Sequence, residues 1–340
     1  MDLMTFEEAL AASADYGKRH VLLGNGFSIA CRPDIFQYDV LLDQATFDGA
    51  SLDLRTVFGL LGTTDFERVI QLLQLAADLC DRYDTTDPTL GARLRSDAAV
   101  VREALARVLA ARHPDDPFKI TEDEYVAVRT FLANFERVYT LNYDMLLYWS
   151  VMQDHGPEVV RNDGFGEADE SDADYVVWQP YVVFDSQRLF YLHGSLHLYD
   201  SGAELAKITW SRTQVPLVDQ IRAALSEGRY PLIVTEGTSE EKVTKILHSA
   251  YLNHAIRSFS SVTGALFLYG LSLAPNDDHL LHRIHENLRL KAIYVSLYGD
   301  PDSDVNEAIR ARAAQLAEGR PDRNSLGVFF YDAASAKVWR

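Results

Sequence analysis

Seven short apolar runs with the composition of β-strands are separated along the chain by longer stretches with the periodicity of amphipathic helices. This alternation is typical of α/β proteins, because two parallel strands need a crossover long enough to hold a helix. We therefore predict an α/β fold with a Rossmann-like, mostly parallel sheet and helices on both faces. The predicted strands are His20–Leu23, Arg137–Leu141, Arg188–Leu192, Leu232–Thr235, Ala265–Tyr269, Ala292–Leu297 and Val328–Tyr331.

The stretch between the first two predicted strands is the longest, and its pattern predicts several helices. Asp65 is expected to cap one of them, because apolar residues recur on one helical face directly after it. We interpret residues 1–340 as a single domain with a helical insertion at about residues 50–134. Further along, the acidic segment 162–174 is predicted to be a solvated loop, and residues 302–318 are predicted to form a helix.

The charge balance restricts the partners that the chain can have. It contains 32 Lys and Arg against 50 Asp and Glu, a net charge of −18. This argues against a general nucleic-acid or anionic-membrane binder, because both need a basic surface. The start, MDLMTFEEAL, lacks the basic region of a signal peptide, and no apolar run approaches the roughly 18 residues that span a bilayer. We expect a cytoplasmic protein that binds neither membranes nor nucleic acid.

The two cysteines, Cys31 and Cys80, limit the metal and disulfide chemistry of the chain. They are too few for a four-cysteine zinc site, and they do not form a disulfide framework. We therefore expect neither a structural zinc ion nor disulfide cross-links.

Two of the predicted strands are followed by glycines and a small hydroxyl residue. Gly24-Asn-Gly-Phe-Ser28 follows the first strand, and Gly270-Leu-Ser272 follows the fifth. Glycine allows a tight turn and a close approach to a phosphate, and a helix beginning near Ser28 would direct free amide groups toward it. An ordinary glycine-rich turn explains the first run equally well, since the third glycine of the common dinucleotide fingerprint is missing.

Two other predicted strands end in side chains that can take part in catalysis. Asn142 and Asp144 follow the second strand, although either could instead cap the next helix. His193 follows the third strand, and Gly194 after it allows a turn that lets the imidazole face a cleft. A single histidine is more often structural. However, ligands of open α/β sheets bind outside the carboxyl ends of the strands, so four such clusters predict a ligand cleft there.

The four motifs come in the order found in sirtuins and sirtuin-like NAD-consuming domains. The chain most resembles stand-alone bacterial sirtuin-like proteins that are described as a domain of unknown function and have relatives in anti-phage defence. The resemblance extends from residue 20 to about residue 300. It rests on Gly24-Asn-Gly-Phe-Ser28, Thr140-Leu-Asn-Tyr-Asp144, Leu192-His-Gly194 and Gly270-Leu-Ser272. Two features depart from sirtuin deacetylases: the four zinc-binding cysteines are missing, and Leu141 stands in place of a ribose-binding glutamine.

The resemblance implies catalytic roles for three residues, with NAD⁺ as the substrate and no metal. Asn142 would bind the ribose and position water, and Asp144 would hold the nicotinamide carboxamide. His193 would act as a general base toward a ribose hydroxyl or the water.

The resemblance also implies how the rest of the dinucleotide is bound. The loop from Gly24 to Ser28 would hold the diphosphate, with Phe27 closing over the reacting ribose. Gly270 and Ser272 would face the adenosine half. The expected NAD-binding residues are Gly24, Asn25, Gly26, Phe27, Ser28, Thr140, Gly194, Gly270 and Ser272.

From the resemblance we expect an NAD⁺ hydrolase that releases nicotinamide and ADP-ribose, and an effector that defends bacteria against phage by depleting NAD⁺. A freely active enzyme of this kind would kill its own cell. We therefore expect a homo-oligomer that is activated by assembly or by a partner such as an ATPase. Two alternatives stay open: a non-catalytic nucleotide-binding scaffold of a defence complex, and an NAD-dependent deacylase, which the missing zinc module disfavours.

Three histidines recur at every third residue of one predicted helix: His279, His282 and His285. Each step turns about 300°, so the first and last do not easily share an ion, whereas neighbouring pairs could bind a metal. Asp277 and Asp278 are expected to cap this helix. Glu236, which follows the fourth predicted strand, has no assigned role.

Overall fold

Six parallel strands form the central sheet of the protein, and four antiparallel strands form a second, smaller sheet. The computed structural model describes residues 3–83, 87–168, 173–180, 186–200, 204–235, 239–321 and 324–340. In chain order, its strands are β1 (Arg19–Leu23), β2 (Arg137–Thr140), β3 (Phe165–Glu167), β4 (Tyr175–Trp178), β5 (Leu189–Tyr191), β6 (Leu198–Asp200), β7 (Leu205–Ile208), β8 (Gly264–Tyr269), β9 (Leu290–Leu297) and β10 (Gly327–Asp332). The central sheet has the order β10-β9-β8-β1-β2-β5, and the second sheet has the order β3-β4-β7-β6.

In the central sheet, later strands are added on both sides of β1. The chain passes from β1 to β2 and β5 on one side, and later to β8, β9 and β10 on the other. At the carboxyl end of β1, Leu23 pairs with Thr140 of β2 and with Tyr269 of β8. Because parallel crossovers are right-handed, growth in opposite directions places the connecting helices on opposite faces. The predicted α/β fold is confirmed, and its topological switch point lies between β1 and β8.

Helices make up most of the remaining described chain. In chain order, the α-helices are α1 (Phe6–Ala12), α2 (Asn25–Cys31), α3 (Pro33–Phe36), α4 (Tyr38–Gln44), α5 (Leu54–Leu61), α6 (Phe66–Arg82), α7 (Leu90–Arg112), α8 (Glu122–Leu132), α9 (Leu146–Met152), α10 (Trp210–Thr213), α11 (Leu217–Ser226), α12 (Ser239–His248), α13 (Ala250–Ser260), α14 (Asp278–Glu286) and α15 (Asp304–Gln315). Across the described ranges, no helix has both the length and the hydropathy that crossing a membrane requires.

The stretch between β1 and β2 contains α2 to α8, and α5 to α8 lie within the residues 50–134 that were predicted to be helical. Asp65 caps α6, because its carboxylate accepts the backbone N–H groups of Glu67 and Arg68. The apolar face of α6 is buried through Phe66, Val69, Ile70 and Leu73. This face lies beside α7, which packs along α6, and the buried residues of both helices belong to the hydrophobic core.

The prediction of a fourth strand, at Leu232–Thr235, is wrong. Leu232–Thr235 forms only an isolated bridge, between Ile233 and Gly194. The segment crosses the turn after β5, where Ser195 donates its backbone N–H to the Leu232 carbonyl. Its residues are therefore apolar because they cover this turn, and not because they extend the sheet.

The second sheet was not predicted, since part of it lies in the segment 162–174 that the sequence assigned to a solvated loop. Phe165 of β3 and Trp178 of β4 pack against Tyr251 of α13. Within the same segment, Asp163 is buried and lies 2.5 Å from the ammonium group of Lys207 in β7. The acidic composition of residues 162–174 concealed β3, which has a single apolar residue, Phe165. The four consecutive apolar residues of β4, Tyr175–Trp178, were not recognised as a strand.

Candidate active site

A cavity of about 730 Å³ lies at the carboxyl ends of the central strands. All four predicted motifs contribute to its wall, through Gly24 after β1, Asn142 after β2, His193 after β5 and Gly270 after β8. The cavity occupies the crevice at the switch point between β1 and β8, where open α/β sheets bind their ligands. Its volume lies in the range of small-molecule and cofactor sites, about 300–1,000 Å³.

The two glycine loops, Gly24–Ser28 and Gly270–Ser272, contact each other at the wall of this cavity. Gly26 donates its backbone N–H to the carbonyl of Gly270, with an N–O distance of 2.9 Å. A Cβ atom on Gly270 would lie 2.6 Å from the Cα of Gly26, and the φ of +69° at Gly270 itself disfavours a side chain. The helix after β1 begins at Asn25 and not near Ser28. Free amide groups were predicted at the start of this helix, but the Gly26 amide is hydrogen-bonded to Gly270.

Ser28 connects Asn142 to Asp144. Asn142 donates from Nδ2 to Ser28 Oγ at 2.8 Å, and the serine hydroxyl donates to Asp144 Oδ2 at 2.5 Å. The other carboxylate oxygen of Asp144 accepts the backbone N–H of Leu146 at 2.9 Å, so the residue also holds the start of α9. Burial raises the pKa of Asp144, and the hydrogen bond from Ser28 opposes this rise.

His193 is buried and faces a second histidine. Its Nε2 lies 3.0 Å from Nε2 of His279, and the two rings are inclined by 19°, so one nitrogen donates its N–H to the other. Burial lowers the pKa of His193 well below its usual value, and Lys242 adds to this effect. The same two causes lower the pKa of His279 to about 3. Both imidazoles are therefore uncharged at neutral pH.

A buried ion pair connects α6 with the cavity. Lys242 Nζ lies 2.5 Å from Glu67 Oε2 and 3.4 Å from Asp277 Oδ1, and the lysine side chain is 0% exposed. Glu67 also accepts the hydroxyl of Tyr143 at 2.9 Å and the side-chain amide of Asn276 at 2.9 Å. Burial acts to lower the pKa of Lys242, but the two carboxylates together raise it above its usual value. This network was not predicted from the sequence. Glu67 and Lys242 lie 175 positions apart, and nothing in the sequence indicates that the two residues meet.

Eight of the twelve predicted site residues line the cavity: Gly24, Asn25, Gly26, Asn142, Asp144, His193, Gly270 and Ser272. The other four, Phe27, Ser28, Thr140 and Gly194, are not in its wall. Thr140 Oγ1 accepts the backbone N–H of Asn142 and so fixes the turn after β2. Glu236, to which no role was assigned, lies outside the described residues.

The resemblance implied that Phe27 closes over the reacting ribose, but Phe27 does not lie over the cavity. It is 0% exposed, and its ring centre lies 5.1 Å from that of Trp339. The indole of Trp339 donates to the Phe27 carbonyl at 2.9 Å. In this structure the phenyl ring is part of the core that supports the glycine loop.

Asp277 and Asp278 were predicted to cap α14, but neither side chain does so. Asp277 is the N-cap residue by position, but its side chain makes no capping hydrogen bond. It turns toward Lys242, and burial raises its pKa while Lys242 acts to lower it. Asp278 forms an ion pair with Arg312.

The three histidines of α14 do not converge. His279 contacts His193, whereas His282 is exposed and lies 3.1 Å from a carboxylate oxygen of Glu286. His285 directs Nδ1 to a backbone carbonyl at 3.1 Å. Only the first of the three therefore belongs to the site, and its partner comes from a different strand end.

The sheet order, the cavity at the switch point and the polar side chains around it define an α/β protein with a candidate enzyme site for a small ligand. The chain belongs to the family described as "Domain of unknown function (DUF4917)", whose model matches residues 21–339. Among curated proteins, no sequence matches it significantly.

Two solved structures that align with this chain at low similarity are Sir2 proteins. A mutant Sir2 homologue in complex with 2'-O-acetyl ADP ribose aligns with 94% of this chain and 100% of its own, at 13% identity and a TM-score of 0.37. A Sir2 mutant in complex with a p53 peptide and NAD aligns with 92% of this chain and 98% of its own, at 12% identity and a TM-score of 0.33.

Proposed function

We propose that the protein hydrolyses NAD⁺ to nicotinamide and ADP-ribose. The observation that carries this proposal is that Asn142, Asp144 and His193 line one cavity together with both glycine loops. These are the residues to which the resemblance to sirtuin-like NAD-consuming domains assigns cleavage of the nicotinamide–ribose bond. The cavity is also large enough for a cofactor-sized ligand.

The charge of the cavity wall suits this reaction. Breaking the nicotinamide–ribose bond develops positive charge on the ribose, as in glycoside hydrolysis. Asp65, Glu67, Asp144 and Asp277 line the cavity together with the cations Lys337 and Arg340, and Lys242 is bound to Glu67 and Asp277. The four carboxylates outnumber the three cations. Carboxylates in a partly buried site stabilise a developing cation more strongly than they would in water.

Each of the three polar residues is held in a state that fits its role. Burial keeps His193 uncharged, so its imidazole has a lone pair for a proton from a ribose hydroxyl or from water, while the lowered pKa makes it a weaker base than a free imidazole. Asn142 is oriented by Ser28 and would bind the ribose and position the water. Asp144 retains a lone pair on each oxygen beside its two hydrogen bonds, and these can accept the nicotinamide amide.

The proposal is tested by incubating the purified protein with NAD⁺ and following its loss by chromatography. We expect Asn142→Ala and His193→Ala each to abolish the loss while the circular dichroism spectrum stays unchanged. His282→Ala is the matched control, because this histidine is exposed and lies away from His193. Cleavage that survives in either site variant contradicts the role of that residue. Binding of NAD⁺ without cleavage would favour the scaffold alternative.

We further propose that this activity serves anti-phage defence in the cytoplasm by depleting NAD⁺, and that it depends on a homo-oligomer. The helical segment offers a surface for such assembly, because α6 exposes leucines at successive turns: Leu72, Leu75 and Leu79. Their side chains are 38%, 47% and 56% exposed. Light scattering should find an oligomer, and co-expression with a cognate partner such as an ATPase should raise NAD⁺ cleavage. A monomer with full, constitutive activity contradicts this part of the proposal.

A further inference from the structure

Three potential metal ligands meet at one end of the cavity. In the part of the chain that the structure describes, His193, His279 and Asp277 bring one ligand atom each to within 4.8 Å of the others. The two histidines face each other through Nε2 at 3.0 Å, and both are buried. The three residues come from the turn after β5, from α14 and from the turn before it, so a well-ordered framework holds them.

The surroundings of this cluster carry more negative than positive charge. Asp65, Glu67 and Asp277 supply three carboxylates. Lys242 supplies an ammonium group that contacts two of them, and the charge of Arg283 also acts on His279, so the carboxylates outnumber the cations by one. Negative charge that is taken out of water without a counterion costs free energy. A divalent cation beside Asp277 would offset this surplus.

The donor set favours a particular class of ion. Two imidazoles and one carboxylate suit first-row transition metals, whereas Mg²⁺ and Ca²⁺ prefer oxygen ligands. A metal binds the imidazole through a ring nitrogen lone pair, and the Nε2 atoms of His193 and His279 face each other at 3.0 Å, where one ion can lie between them. His193 and Asp277 are in the cavity wall, so an ion can enter from the cavity and keep an open coordination position facing it.

We propose that His193, His279 and Asp277 bind one divalent transition-metal ion, for which Zn²⁺ is the natural candidate, and that this ion inhibits the enzyme. The metal replaces the hydrogen bond between the two Nε2 atoms and takes the lone pair that His193 would use as a base. It also adds positive charge where the ribose becomes cationic. The binding site stands on the geometry alone, whereas the inhibition rests on the proposed function.

The metal site is tested by titrating the chelator-treated protein with Zn²⁺ in a calorimeter and with Co²⁺ in a spectrophotometer. We expect one ion per chain and visible Co²⁺ bands of the intensity produced by low-coordinate nitrogen and oxygen ligands. His279→Gln and Asp277→Asn should each weaken binding by about tenfold or more. His282→Gln, an exposed histidine on the same helix, should bind as the wild type does.

Two outcomes would overturn the metal site. They are no binding to the wild type, or equal binding by the wild type and both site variants. Circular dichroism verifies that each variant is folded, and the Co²⁺ spectrum of the wild type reports its ligands without any substitution.

The inhibition is tested on the same preparation. Added Zn²⁺ should lower nicotinamide release from NAD⁺ in step with occupancy of the site, and a chelator should restore it. Undiminished release at full occupancy overturns the inhibition but leaves the proposed function standing. No release from the metal-free protein overturns the proposed function and the inhibition together, while the titration still decides whether the metal site exists.

Discussion

The side-chain amide of Asn142 donates a hydrogen bond of 2.8 Å to the hydroxyl of Ser28, which lies 114 positions earlier in the chain. This contact joins the loop after β1 to the loop after β2 and fixes the orientation of the amide at the cavity. Because Ser28 then donates to Asp144, one buried hydroxyl holds two of the three proposed catalytic side chains. The geometry of the site therefore depends on a residue that does not itself line the cavity.

Replacing Ser28 with alanine should lower NAD⁺ cleavage more than its loss of stability explains. The variant leaves the buried Asp144 carboxylate without one donor, which costs about 1–3 kcal/mol, and it frees the Asn142 amide to rotate. We expect turnover to fall by roughly tenfold to a hundredfold, by analogy with the loss of a positioned polar group. Ser150→Ala is the control, because this buried hydroxyl bonds only to the Leu146 carbonyl of its own helix. Similar losses of turnover in both variants would contradict the positioning role of Ser28.

The contact between the glycine loops predicts a severe effect of Gly270→Ala. The new methyl group would lie 2.6 Å from the Cα of Gly26, and the backbone φ of +69° is unfavourable for alanine. Gly299→Ala is a matched control, since Gly299 has a φ of +76° but its new methyl group would meet no atom within 4 Å. Thermal denaturation should show a loss of about 1 kcal/mol for the control and several times as much for Gly270→Ala. Equal losses in the two variants would show that the loops do not pack as described.

Removing the charge of Glu67 should destabilise the protein strongly. Glu67→Gln leaves Lys242, which is 0% exposed, with the more distant Asp277 as its one charged partner among the residues that the structure describes. We expect a loss of about 3 kcal/mol in the free energy of unfolding, the usual effect of breaking a buried pair. The control is Glu103→Gln, whose partner Arg107 is 39% exposed, and it should cost less than about 1 kcal/mol. Denaturant titration measures both, and a small effect at Glu67 would contradict a buried, charged network.

Acid should destabilise the fold through His113. Its Nδ1 faces the Pro114 carbonyl, and its Nε2 accepts the backbone N–H of Met145, so the folded state requires an uncharged ring. Burial lowers the pKa of His113 to about 4, below the usual value of 6.5. The resulting stability is complete above pH 6.5 and is lost as the pH falls toward 4, on the order of 3 kcal/mol in total.

Thermal denaturation between pH 7 and pH 4 measures this effect. His113→Gln should be less stable at neutral pH and should lose less stability on acidification than the wild type. His282→Gln, at an exposed position, should keep the wild-type pH dependence. An unchanged pH dependence in His113→Gln would contradict the assignment.

Most of what the sequence predicted correctly is local. Apolar runs indicated the six central strands, and Asp65 before an apolar face indicated the start of α6. The convergence of the four motifs also followed from a general rule, since parallel strands of one sheet end at the same edge. What the sequence did not reveal depends on contacts between distant residues. Nothing near His279 indicates that its Nε2 faces His193, 86 positions away.

Two incorrect predictions have the same physical origin. Leu232–Thr235 has the composition of a buried strand, but it covers a turn, and burial alone does not distinguish the two. Phe27 was assigned to the substrate on resemblance, but Trp339, at the far end of the chain, takes its ring into the core. In both cases the local sequence was compatible with two roles, and tertiary packing decided between them.

Product analysis of NAD⁺ after incubation with the purified protein tests the central claim most directly. The protein is used at high concentration with metal removed, and nicotinamide and ADP-ribose are quantified together over time. We expect the two products to appear in equal amounts in the wild type and in His282→Ala, and neither to appear in His193→Ala. Unchanged NAD⁺ in the wild type, or equal product formation by His193→Ala, would contradict the central claim.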